Sequence, residues 1–161
     1  GDRFAPAFAR ARELGFGLTA HAGESSGPEG VLDALECLKV DRIDHGVRAA
    51  EDPALLERLA AQRVPLNVCL SSNLALLYRD PREHPLRQLL DVGAAVTLSR
   101  DDPMFLGALT RTEELRRAAV FARMSEAELL HCQEIAVDAA FCGEETKAAL
   151  RAALEAFRSQ S

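Results

Sequence analysis

Leu18-Thr19-Ala20-His21-Ala22-Gly23-Glu24 opens on a short apolar run and closes on a histidine and a glutamate held apart by a small-residue turn. The run reads as a buried strand over Leu18–His21, and its two polar side chains then stand at the strand's mouth. Two further stretches repeat the pattern. Val40–Asp44 is a short strand continued by His45-Gly46, and Ala94–Leu98 is a strand followed by Asp101-Asp102-Pro103. A fourth strand, Pro65–Cys69, runs into a polar stretch, Ser71-Ser72-Asn73, expected to be a loop.

Helical patterns fill the intervals. Phe4, Ala7, Phe8, Ala11 and Leu14 share one face of a helix over residues 3–14, which Gly15 and Gly17 end. Gly27-Pro28 opens a second helix, with Pro28 in the first turn and Val31, Leu32, Leu35 and Leu38 inward. Asp52-Pro53 opens a third, with Leu55, Leu56 and Leu59 inward, and a short one lies near Pro85–Leu90. The tail is helical: residues 112–122, then a helix capped by Ser125 and Glu128 and running towards Phe141, then a last helix after Gly143. Strand–helix alternation predicts an α/β fold with a parallel sheet. In such folds the chemistry sits just past the strands' C-terminal ends, where each of these polar groups falls. A closed eight-stranded barrel needs about 200 residues or more. Four strands in 161 residues therefore predict half a barrel, one domain over 1–161, with β/α units over 1–111 and helices over 112–161.

Composition narrows the function. With 48% apolar and 27% charged residues the chain is globular. A net charge of −6 with dispersed basic residues argues against nucleic acid. No apolar run approaches the roughly 20 residues that cross a bilayer, so no membrane role is expected. Cys37, Cys69, Cys132 and Cys142 lack paired spacing and read as reduced thiols of a cytoplasmic protein, not a cysteine metal site. No glycine-rich phosphate loop is present.

His21 has the chemistry of a zinc ligand, since neutral imidazole suits that ion. A hydrogen-bonded histidine at a strand end is the plainer reading. Glu24 lies one tight turn on and could hand a proton to a substrate ring atom, or simply face water. His45 could orient or deprotonate an attacking water, or pack neutrally beside its glycine. Asp101 and Asp102 are adjacent, so their side chains diverge: one could bind a metal and the other substrate, or the pair could cap a helix ahead of Pro103. Each plain reading stands singly; their coincidence at successive strand ends points to one metal-dependent hydrolytic site. His84 and His131 are assigned structural or surface roles, Ser71, Ser72 and Asn73 a polar loop, and the acidic runs of the tail helices solvated faces.

Taken together, LTAHAGE at 18–24, RIDHGVR at 42–48, VCLSSN at 68–73 and SRDDP at 99–103 resemble the adenosine deaminase family, metal-dependent purine deaminases of the amidohydrolase superfamily. The resemblance implies a (β/α)8 barrel with one zinc ion at its C-terminal mouth. It implies that His21 and Asp101 are zinc ligands, that Glu24 protonates the purine ring nitrogen, that His45 positions or activates the water, and that Asp102 hydrogen-bonds the purine. Water then replaces the exocyclic amine, and ammonia leaves. The details lie nearest to bacterial adenine deaminases and aminodeoxyfutalosine deaminases.

The chain departs from the family pattern in three places. The family draws two more zinc ligands from a His-x-His on its first strand, and this chain has no His-x-His. Leu70 replaces the proline of Cys-Pro-x-Ser-Asn. Arg100 replaces the small hydroxyl residue before the acidic pair. Two ligands fall short of the three a zinc site wants, so the chain is expected to correspond to a C-terminal half and to hold zinc poorly alone. A purine deaminase is the leading expectation for the intact parent. A non-catalytic, degenerate barrel fragment and another metal hydrolase of the superfamily are the alternatives. The expected partners are a small purine substrate and either the other half-barrel or a second copy, because half a barrel leaves open edges and an uncovered apolar interior.

Overall fold

The computed structural model describes residues 1–107 and 110–159; residues 108–109 and 160–161 of the expected domain lie outside the described residues. The order is α1 (Ala5–Glu13), β1 (Thr19–Ala22), α2 (Pro28–Glu36), β2 (Arg42–His45), a 3-10 turn (Val47–Glu51), α3 (Pro53–Gln62), β3 (Leu66–Val68), α4 (Leu70–Leu76), a 3-10 turn (Pro81–Glu83), α5 (Leu86–Asp91), β4 (Val96–Leu98), α6 (Arg111–Phe121), α7 (Glu126–Ala139) and α8 (Glu144–Arg158).

The four strands form one parallel sheet in the order β1-β2-β3-β4, each joined to the next by a helical crossover. This is half of a (β/α)8 barrel. Local chemistry starts the helices as expected. Pro28 and Pro53 occupy first-turn positions, where a missing N–H costs nothing. The Asp52 side chain accepts from the N–H groups of Ala54 and Leu55. Ser125 and Glu128 form the expected capping box of α7, and Thr110 and Glu113 form one on α6. No described helix is long and apolar enough to cross a membrane.

Ile43, Leu66, Val68, Val96 and Leu98 of the sheet are fully buried, as are Val31 of α2, Leu59 of α3, Leu86 and Leu89 of α5 and Ala118 of α6. The opposite side of the sheet corrects one expectation. Register aligns His21 with Asp44, Asp44 with Asn67, and Asn67 with Thr97 across the four strands. Asp44 accepts from Thr19 Oγ1 at 2.8 Å and from Asn67 Nδ2 at 2.6 Å, and Asn67 Oδ1 accepts from Thr97 Oγ1 at 2.7 Å. The face that half a barrel leaves open is thus a polar ladder near the strand ends, not an apolar surface. Two further expectations fail. Leu70–Leu76, which contains Ser71, Ser72 and Asn73, is a helix with all three side chains buried, not a loop. Glu114 of α6 is fully buried, not part of a solvated face.

Candidate active site

Past the strand ends lies an open pocket of about 540 Å³, walled in part by His21, Asp44, His45, Asn67, Arg100 and Asp101. Backbone geometry brings these groups together. His45 and Asp101 both adopt left-handed backbone, with φ of 68° and 62°. Three other non-glycine residues do so among the described ones, Lys39, Arg63 and Arg123, and each follows a helix end. The left-handed turns at His45 and Asp101 close no helix, and such strain gathers where the surrounding structure holds a side chain in place for use. Gly23 and Gly46, with φ of 64° and 70°, sit back to back: a Cβ on Gly23 would meet Val31 at 2.6 Å, and one on Gly46 would meet Leu66 at 2.7 Å. Only glycine permits the sharp exits that leave Glu24 and His45 facing each other.

His45 is at the centre. Its side chain is buried, with Nε2 3.4 Å from Glu24 Oε2 and 3.9 Å from Asp101 Oδ2. Burial pushes its basicity down, opposed by the negative charges of Glu24 and Asp101. The His21 ring lies 5.1 Å from that of His45, and His21 Nδ1 is 4.0 Å from Asp44 Oδ2. His21 belongs to β1, an edge strand, and its ring is exposed. Glu24 Oε1 is buried with no hydrogen-bond partner. A buried carboxylate oxygen without a partner is costly, and a proton or ligand arriving there relieves that cost.

His21, His45 and Asp101 therefore line the pocket and Glu24 abuts His45. Asp102 is separate: it is exposed, and its Oδ1 accepts from the Met104 N–H at 2.8 Å, capping a turn where a helix was expected ahead of Pro103. Asp44, Asn67 and Thr97 were not among the expected site residues. Their only sequence signal is a polar residue at an alternate strand position, which says nothing until register aligns them.

Among the described residues, the cluster of three potential metal-binding atoms lying within 4.8 Å of one another belongs to His45, Cys69 and Asp101. Burial, with nearby carboxylates, pushes the Cys69 thiol up to about 12. At neutral pH it stays protonated and is a poor ligand, because thiolate is the binding form. His21 and Asp101 are the better donors. Both line the same pocket, and neutral imidazole and carboxylate are ordinary zinc donors.

The adenosine deaminase family pattern matches residues 2–157. The chain belongs to the adenosine deaminase family. A curated adenine deaminase of Cupriavidus metallidurans is 57% identical over 107 residues, 66% of this chain and 30% of that protein. The crystal structure of an adenine deaminase from Arthrobacter aurescens superposes with a TM-score of 0.90 at 31% identity, covering 98% of this chain and 48% of that one. An amidohydrolase from Burkholderia ambifaria, solved with bound zinc, superposes with a TM-score of 0.88 at 29% identity, covering 98% and 44%. The chain thus spans less than half the length of each of these members or relatives of the family. The four family motifs fall where the barrel fold requires, at the C-terminal ends of β1, β2, β3 and β4.

Proposed function

We propose that this chain is the C-terminal half of the barrel of a zinc-dependent deaminase that hydrolyses the exocyclic amine of an adenine-type base or nucleoside. The observation that carries the reading is the convergence of Glu24 and Asp101 on His45 from the ends of three different strands, at a pocket that His21, His45 and Asp101 line together. Matches to proteins named adenine deaminase favour a free base as substrate. Free cysteines at Cys37, Cys69, Cys132 and Cys142 fit a reducing cytoplasm.

His21 and Asp101 would hold the zinc ion, with the remaining ligands supplied from outside this chain. Bound there, zinc supplies an acidified water as nucleophile near neutral pH. The chain's own groups do the rest. Asp44 sits behind His21 Nδ1, in the place of an outer carboxylate that orients a ligating imidazole. Glu24 holds the proton for the ring nitrogen, adding hydrogen across the ring C–N bond as the nucleophile attacks the carbon. His45 faces the nucleophile. Asp102 would hydrogen-bond the purine from the turn that caps Met104. The open edge of β1 would pair with the first half of the barrel, from another segment or a second copy.

A non-catalytic fragment is the second reading, and one observation favours it: Arg100 lines the pocket beside Asp101. Ammonia release from adenine and adenosine, measured on the full-length protein with its zinc content, tests the proposal. His21→Ala and Asp101→Ala are each expected to lower zinc content and turnover together. Full turnover without His21 would remove the assigned ligand set.

A further inference from the structure

His45 does not stand alone behind the pocket. Asn73 Nδ2 lies 3.2 Å from His45 Nδ1, His84 Nε2 lies 3.4 Å from Asn73 Oδ1, and the Leu86 N–H donates to His84 Nδ1 at 3.1 Å. Asn73 is wholly buried, and His45 and His84 nearly so. Four groups from β2, α4, the loop before α5 and α5 itself therefore form a line of hydrogen bonds running from the helix start to the carboxylates of the site.

The polarity of this line is fixed from one end. A backbone N–H can only donate, so His84 Nδ1 must accept. A neutral imidazole accepting at Nδ1 carries its proton on Nε2, and that proton is donated to Asn73 Oδ1. With its oxygen engaged there, the Asn73 amide must turn its NH2 to His45, so His45 Nδ1 accepts as well. The one remaining proton of a neutral His45 is then on Nε2, facing Glu24 and Asp101. Turning the Asn73 amide round would set its NH2 against the His84 Nε2–H, a costly buried contact between two donors. Burial drives His84 down to about 4, so its ring stays neutral at physiological pH and keeps a single N–H. Edge contacts from Tyr78, at 5.0 Å, and Phe121, at 5.9 Å, hold the ring plane.

We propose that Asn73 and His84 are positioning residues of this site, and that with the Leu86 N–H they hold His45 as its Nε2–H tautomer. The inference rests on the proposed deaminase reading for its catalytic consequence, not for the tautomer itself. Its consequence is that His45 enters the reaction as a hydrogen-bond donor to the oxygen nucleophile. It does not abstract a proton from it, because the nitrogen facing the site already carries one. The proton delivered to the ring then comes from Glu24.

The test is two-bond 1H–15N correlation spectroscopy of the full-length, 15N-labelled protein, with His45 assigned by its loss in His45→Gln. The expected spectrum shows His45 Nε2 protonated and Nδ1 bare. Asn73→Asp, which presents only acceptors, is expected to move the proton to Nδ1 and to lower kcat by roughly 10- to 100-fold with KM within about 2-fold, the range of outer-partner losses. His84→Leu should weaken turnover in the same sense. His84→Gln, whose amide can accept from Leu86 and donate to Asn73, should restore most of it. A protonated Nδ1 in the unsubstituted protein overturns the proposal, as does an Asn73→Asp variant with unaltered kcat. If the tautomer is as expected but no purine releases ammonia, the deaminase reading fails and the hydrogen-bond line stands.

Discussion

Glu114 of α6 accepts two hydrogen bonds from one residue of α4, the Ser71 backbone N–H at 2.9 Å and the Ser71 hydroxyl at 2.5 Å. Helix α4 has no side-chain cap of its own, since Cys69 occupies the N-cap position. A buried carboxylate from a distant helix does that work. Negative charge at a helix N-terminus is favourable, and Arg117 adds a bond to the same hydroxyl at 3.3 Å. The contact fixes α4, and α4 carries Asn73.

Glu114→Ala is therefore expected to destabilise the protein by about 1–3 kcal/mol, the cost of stranding buried donors at Ser71. Urea unfolding followed by circular dichroism measures it. An unchanged midpoint would mean that water reaches the start of α4.

Glu24→Gln should keep zinc and lose turnover by about 10²–10⁴-fold, the usual worth of a positioned acid. The amide matches the carboxyl in shape but has no proton of comparable acidity to give to a ring nitrogen. Metal analysis beside ammonia release separates the two effects. Retained turnover would take the acid role from Glu24.

Arg100→Ser separates an active enzyme from a degenerate one. If Arg100 closes the pocket, removing its guanidinium should raise deamination or zinc occupancy in the full-length protein. Normal turnover before the substitution and no change after it would sink the degenerate reading.

His84 predicts how stability depends on acidity. Its folded value of about 4 is below the ordinary 6.5 because burial disfavours the cation. Between those values the unfolded chain binds a proton that the folded one does not. Stability from this residue is therefore complete above about pH 6.5 and falls as pH drops towards about 4, by about 3 kcal/mol in all. Urea midpoints of the unsubstituted protein and of His84→Gln, compared over that window, should diverge, with the glutamine variant less sensitive. Parallel curves would show that His84 titrates normally in the folded state.

Much of this protein is legible along the chain. Apolar runs bounded by glycine and proline marked four strands, and helical spacing marked most of the helices, because those signals come from neighbouring residues. Ser125 with Glu128 announced a helix start for the same reason. The placement of His21, Glu24, His45 and Asp101 was legible as well, since each stands at a strand mouth beside a turn that needs glycine or tolerates a strained backbone.

Other features depend on residues far apart in sequence. Ser71-Ser72-Asn73 looked like a loop because its own side chains compete with helix formation; burial, with Glu114 at the helix start, reversed that preference. Glu114 looked solvated because it adjoins Glu113, yet one step along a helix turns a side chain by about 100°, from the capping box into the core. The Asp44–Asn67–Thr97 ladder exists only because parallel register aligns three strands. The sequence by itself determined the elements and which polar groups stand at their ends. Only tertiary structure decided which polar groups share a dry interior, because a hydrogen bond between segments tens of residues apart depends on packing that no local pattern encodes.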